Sequence, residues 1–122
     1  MSVDEDDVHR KTHERTGGTQ FLEWTIDGDH DGKAVLTLVG ELDMAAAAAV
    51  RSALTEAVGA GDDVVVDLTE LGFIDSSGLA ALLAAHKAAT QAGRSVTLRG
   101  VQGNVKRTIA IAGLSEVFVI EQ

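Results

Sequence analysis

From Phe21 onward the chain alternates short β-branched runs with Ala- and Leu-rich stretches of helical period, and that alternation narrows the possible folds more than any other feature. Phe21-Leu22-Glu23-Trp24-Thr25-Ile26 reads as a strand, with the turn falling between Asp27 and Gly32. Lys33-Ala34-Val35-Leu36-Thr37-Leu38-Val39-Gly40 closes the hairpin. Asp43 precedes Met44 and five alanines, as an N-cap precedes strong helix formers. Val50, Leu54, Ala57 and Val58 continue at helical spacing until Gly59 and Gly61 stop the helix. Val64-Val65-Val66-Asp67-Leu68 has the unbroken apolar character of a strand buried on both faces. After Asp75-Ser76-Ser77-Gly78, the residues Leu79, Leu82, Leu83 and His86 mark a helix ending near Gly93. Ser95-Val96-Thr97-Leu98-Arg99 is a strand, and Asn104 caps a helix carrying Val105, Thr108, Ile109 and Ala112. Val117-Phe118-Val119-Ile120 is the last strand. The order ββαβαβαβ, with helices of about 10–15 residues between strands, predicts right-handed crossovers and an α/β fold. That fold is a single mixed β-sheet with helices packed mainly on one side. Leu38, Val65, Leu68, Leu79, Leu83 and Ile109 are its expected core residues.

Composition sets the limits around this pattern. The 122 residues suit one domain, and the apolar share of 45% is aliphatic, with only three Phe and one Trp. Alanine on the helices lets them lie close to a sheet. The chain contains no cysteine, which excludes disulfides and thiolate metal sites and fits a reducing, cytoplasmic setting. Its apolar runs fall short of the roughly 20 residues a membrane span needs. The start Met1-Ser2-Val3-Asp4-Glu5-Asp6-Asp7 is acidic, unlike a secretory signal. A formal charge of −9 argues against nucleic acid and anionic membranes, and for a partner with a basic face. Residues 1–19 have almost nothing apolar to bury and read as a flexible N-terminal tail, leaving 20–122 as the domain. His9 and His13 stand four apart within that tail, with no helix signal and no third ligand to make a metal site.

Loops leaving the C-terminal ends of parallel strands gather on one edge of a sheet, where sites usually form. Two acidic loops belong there: Gly40-Glu41-Leu42-Asp43 and Phe73-Ile74-Asp75-Ser76-Ser77-Gly78. The second is at least a capped helix start, in which Asp or Ser accepts from free N–H groups and Gly permits close packing. The same geometry makes an exposed serine hydroxyl at a helix N-terminus a good phosphate site, because backbone donors and the positive dipole end meet the added charge.

Val64-Val65-Val66-Asp67-Leu68 leading through Phe73-Ile74-Asp75-Ser76-Ser77-Gly78-Leu79 resembles the signature of STAS domains of anti-sigma factor antagonists. Gly40-Glu41-Leu42-Asp43 is similar to that family's first acidic loop. Asn104-Val105-Lys106-Arg107-Thr108-Ile109 and Ala112-Gly113-Leu114 through Phe118-Val119-Ile120 resemble its last helix and strand. The likeness spans about residues 20–122, with four motifs in order. It implies a partner-switching protein, phosphorylated at Ser76 (with Ser77 the adjacent alternative) by an anti-sigma factor of the serine-kinase type and reset by a PP2C-type phosphatase. The unphosphorylated form would bind the anti-sigma factor and free its sigma factor, with Asp43, Asp75, Ser76, Ser77 and Gly78 at the contact. The protein would be a monomer or weak dimer and would need no cofactor. One departure stands out: Met44 through Ala49 lack the Thr or Ser that the family often carries near that helix start.

Other classes fit less well. A hydrolase elbow needs Gly two residues before the nucleophile, where this chain has Ile74. His86 lies ten residues beyond Ser76, about three helical turns away and out of reach as its base, so it reads as a packing or edge residue. Gly100-Val101-Gln102-Gly103 lacks the spacing and the Lys of a phosphate loop. The expectation is no catalytic activity and no bound metal or nucleotide. The rival reading is a STAS binding subunit, never phosphorylated, of a stressosome or a lipid-transport complex.

Overall fold

The computed structural model describes residues 14–28 and 31–121. Among these residues, six strands form one sheet: β1 (Glu14–Gly18), β2 (Leu22–Gly28), β3 (Lys33–Leu42), β4 (Asp63–Ile74), β5 (Val96–Arg99) and β6 (Val119–Glu121). Helix α1 (Met44–Gly59) joins β3 to β4, α2 (Ser76–Gln91) joins β4 to β5, and α3 (Gly103–Ile111) precedes β6. Spatial order equals chain order, β1-β2-β3-β4-β5-β6. β1, β2 and β3 pair antiparallel; β3 through β6 pair parallel. When each parallel strand is laid beside the last by a crossover of one hand, all the helices fall on one face. The core shows this outcome. Leu36, Leu38, Leu42, Val64, Val66, Leu68, Val96 and Leu98 from the strands are buried with Val50, Leu54, Leu82, Val105 and Ile109 from the helices.

Several expectations change. The expected flexible tail extends through residue 19, but Glu14–Gly18 forms β1, so the order is βββαβαβαβ. Residues 1–13 of that expectation, including His9 and His13, lie outside the described residues. Thr16-Gly17-Gly18-Thr19 resembles a linker for want of apolar residues, yet its glycines have a packing role. A Cβ on Gly17 would sit 2.6 Å from the Trp24 ring, and one on Gly18 would sit 2.6 Å from the Leu22 carbonyl oxygen. Arg15 ties β1 to α1 through Glu56, Nη1 to Oε1 2.6 Å.

The third predicted strand is longer than its apolar run. β4 continues to Ile74 because its register against β3 shifts twice, between Thr37 and Val39 and between Gly40 and Glu41. Those shifts bring Leu71 and Ile74 to the same buried face as Leu68, a spacing of three that hides the two-residue strand period. The first irregularity is built from side chains. Asp67 Oδ1 accepts from the Thr69 amide at 3.0 Å and from its hydroxyl at 2.7 Å, and Gln102 Nε2 donates to the Thr69 carbonyl at 2.8 Å. Gly100, at φ +73°, leaves room for Thr69, which any side chain at 100 would overlap. The Thr69 hydrogen bonds, with Arg99 nearby, hold the Asp67 carboxyl below its ordinary range.

Val65 is half-buried and points to the face without helices, so β4 is buried on one face only. Leu83 is also half-buried; the helical face turns so that Leu82, fully buried, fills the core instead. Leu38, Leu68, Leu79 and Ile109 are buried as expected. Asn104 lies inside α3, where its Oδ1 accepts from Arg107, and Gln102 holds the cap position without a side-chain cap bond, its amide being engaged by Thr69. His86 packs edge-on to Phe118, ring centroids 6.0 Å apart, which is the packing role expected of it. Among the described residues, no helix is long and apolar enough to cross a membrane.

Candidate functional site

The central strands β3 and β4 end in register, Leu42 opposite Ile74, each followed by an aspartate and then a helix. Asp75 N–H donates to the Leu42 carbonyl at 3.2 Å, fastening one corner to the other. Both aspartates take the same extended backbone, φ −111° and ψ −174° for Asp43, φ −107° and ψ −174° for Asp75. Each caps its helix in the same way. Asp43 Oδ1 accepts from the Ala46 amide at 3.2 Å, and Asp75 Oδ1 accepts from the Gly78 amide at 2.9 Å. The two acidic residues singled out in the sequence are therefore twin N-caps, each with one carboxylate oxygen committed to its helix.

Ser76 is the first residue of α2 and is exposed; Ser77 is half-buried and Gly78 buried. Gly78 is required by packing: a Cβ there would stand 2.8 Å from both Ile74 Cγ1 and Leu42 Cγ, and 2.9 Å from the Leu42 carbonyl oxygen. Its absence lets α2 begin directly against the end of β3. The opening amides of a helix have no partners inside it, so the N-terminus of α2 offers donors and a positive dipole end beside the Ser76 hydroxyl. No acidic side chain occupies the first turn.

Shallow hollows flank the serines. Ser77 lines one between α1 and α2 with Met44, Ala47, Ala48 and Arg51. Ser76 lines another with Leu79, Leu83, Ala112 and Leu114. The alanines of both helices keep the first hollow open, and Met44 stands exposed on its rim. Of these lining residues only Ser76 and Ser77 are among the site residues expected from the sequence. An exposed Met at a helix start, where a polar residue would be ordinary, is the one available signal. The fold thus brings Asp43, Asp75, Ser76, Ser77 and Gly78 to one corner.

With this geometry in view, similarity to known proteins is informative. The family described as "Mlab, STAS domain" matches residues 26–121. The chain belongs to the STAS family. It is 38% identical over 93 residues to the anti-sigma-F factor antagonist RsfB of Mycobacterium tuberculosis, covering 74% of each chain. Among solved structures, an anti-sigma factor antagonist from Mycobacterium paratuberculosis superposes with a TM-score of 0.73 at 26% identity, covering 85% of this chain and 88% of that one. The Bacillus protein SpoIIAA in its phosphorylated form shares the fold, with a TM-score of 0.65 at 19% identity over 81% of this chain and 91% of that one.

Proposed function

We propose that the chain is an anti-sigma factor antagonist whose binding is switched by phosphorylation of Ser76. The observation that carries this reading is the exposed Ser76 hydroxyl at the head of α2, beside the Asp75 cap and joined to the Asp43 corner. RsfB carries the same functional name, and SpoIIAA, of the same fold, has a phosphorylated form. The unphosphorylated protein binds an anti-sigma factor across the corner and the hollows beside it, releasing the sigma factor. The partner is of the serine-kinase type and transfers phosphate from ATP to Ser76 Oγ. The new dianion is held by the amides and dipole of α2, so the fold stays as it is. Its charge beside Asp75 and Asp43 makes the same surface unfavourable to the partner, through like-charge repulsion and desolvation. A PP2C-type phosphatase reverses the step. The chain itself contributes no catalysis, holds no cofactor, and works in the cytoplasm.

Intact-mass measurement after incubation with ATP and the cognate anti-sigma factor tests the reading. One phosphate is expected on the parent protein and none on Ser76→Ala. Binding is then measured with both forms. Equal affinity of phosphorylated and unphosphorylated protein would sink the switch, and modification of Ser77 alone would move the site by one residue. The rival, an unmodified subunit of a larger complex, predicts no phosphorylation at either serine.

A further inference from the structure

The face of the sheet opposite the helices carries an apolar patch that the Ser76 corner does not include. Two of the three phenylalanines are exposed, Phe21 at 53% and Phe73 at 42%, together with Val39 at 36%. Pairing places them together. Glu41 lies opposite Phe73 and donates its amide to the Phe21 carbonyl at 2.9 Å, while Val39 lies between Glu23 and Glu70 on the neighbouring strands. An aliphatic core with few aromatics would be expected to bury those it has, so two phenylalanines left in solvent on one patch are a costly arrangement for a monomer. Acidic residues alternate with them across the strands: Glu41 stands between Phe21 and Phe73, Glu23 and Glu70 flank Val39, and all three are exposed. Residues 21–25, 37–41 and 67–73 contain no Lys or Arg, and the nearby Arg99 is paired with Glu121 at 2.9 Å.

We infer that this patch is a docking surface for a protein presenting apolar side chains interspersed with Lys and Arg, and that the occupant is the anti-sigma factor reaching over the rim of the sheet from the Ser76 corner. The assignment rests on the function proposed above. Continuity supports it: Phe73 is three residues from Ser76, and a stable interface covers about 800 Å² on each partner, enough to span both. Charge disfavours a second copy of a chain with net charge −9. In this arrangement the patch supplies affinity that phosphorylation leaves untouched, while the Ser76 corner supplies the switch.

The test is calorimetric titration of the purified anti-sigma factor into the parent protein, Phe21→Ser/Phe73→Ser, Glu23→Lys/Glu70→Lys, and the control Val119→Ser on the far edge strand. Both patch variants should lose at least about tenfold in affinity and the control less than about twofold. Combined with Ser76→Asp, the patch substitutions should cost the same factor again, as independent sites do. A Phe21→Ser/Phe73→Ser variant with a native circular dichroism spectrum and affinity within about twofold of the parent overturns the inference. If that variant is unfolded, Glu23→Lys/Glu70→Lys decides by the same criterion. A parent dimer in sedimentation that the Phe variant abolishes assigns the patch to self-association, which also overturns it. Failure of the parent to bind the anti-sigma factor at all overturns the proposed function and this inference with it; tight parent binding that ignores the patch overturns this inference alone.

Discussion

The Asp43 and Asp75 corners share a backbone and differ in what is attached to it. Each is a parallel strand ending in an apolar residue and an aspartate, with cap dihedrals within a few degrees of each other and a carboxylate bonded to the amide three residues on. After Asp43 come Met44, Ala45 and Ala46; after Asp75 come Ser76, Ser77 and Gly78. Ala46 keeps its Cβ in the core, whereas position 78 has no space for one. The scaffold therefore makes two equivalent helix starts, and only the second carries a hydroxyl and the glycine that seats its helix against the neighbouring strand. Helix capping alone explains Asp43. It leaves the exposed serine after Asp75 unexplained, and that residue is where function is assigned.

The largest expected effect contrasts the two corners directly. Phosphorylation of Ser76 should weaken anti-sigma factor binding by roughly two to three powers of ten, with Ser76→Asp weakening it less because one carboxylate brings less charge. Ser76→Ala should bind like the unphosphorylated parent whether or not ATP is present. Moving the hydroxyl across, in Met44→Ser combined with Ser76→Ala, should give a protein that takes up no phosphate by intact mass. Phosphate on the hydroxyl introduced at position 44 would show that the two corners are interchangeable to the kinase.

Next comes stability. Gly78→Ala should cost about 1–3 kcal/mol in urea unfolding, because its Cβ collides with Leu42 and Ile74 side chains and with backbone. Ala46→Gly at the matching place in α1 should cost about 2 kcal/mol, as a loss of helix propensity and of one buried methyl, and without any steric clash. A Gly78→Ala protein as stable as the parent, or more so, would mean that α2 is not seated closely against β3.

Removing the caps should bring the corners back to equality. Asp43→Ala and Asp75→Ala should each cost about 1 kcal/mol, the ordinary value of an N-cap. A loss confined to one of them would break the equivalence drawn from their dihedrals.

The smallest effect lies away from both corners. Asp67 is held below its ordinary pKa chiefly by the Thr69 hydroxyl, so its contribution is present above the unfolded value of about 4 and lost as pH falls through the folded one. Asp67→Asn should flatten the acid side of the stability curve slightly, measured by unfolding between about pH 5 and 3. An unchanged acid slope would remove Asp67 from the account.

The functional corner is more legible in the sequence than parts of the scaffold are. Asp75-Ser76-Ser77-Gly78 is read locally, because capping, exposure and close approach each depend on residues a turn apart. The features that escape a sequence reading depend on partners distant along the chain. Gly17 and Gly18 look like a linker until the Trp24 ring is placed against the first and the Leu22 carbonyl against the second. Leu71 and Ile74 escape the strand pattern until the register shifts of β4 against β3 are known. Val65 reads as core because a β-branched run does not show whether helices cover one face or two, and Leu83 because helical spacing does not separate the centre of a buried stripe from its border.

The identity of spatial and chain order has a consequence for how the protein comes to be folded. Every strand pairs with the one made just before it, so no early strand must wait with an open edge for a late partner inserted between existing neighbours. Each new strand, with the helix leading to it, can dock on an edge already in place, and the sheet can lengthen in the direction of synthesis. The last piece to be added is β6, on the edge farthest from β1 and two positions from β4, the strand that delivers Ser76. A nascent chain can therefore present a formed Ser76 corner before its own C-terminal strand has been laid down.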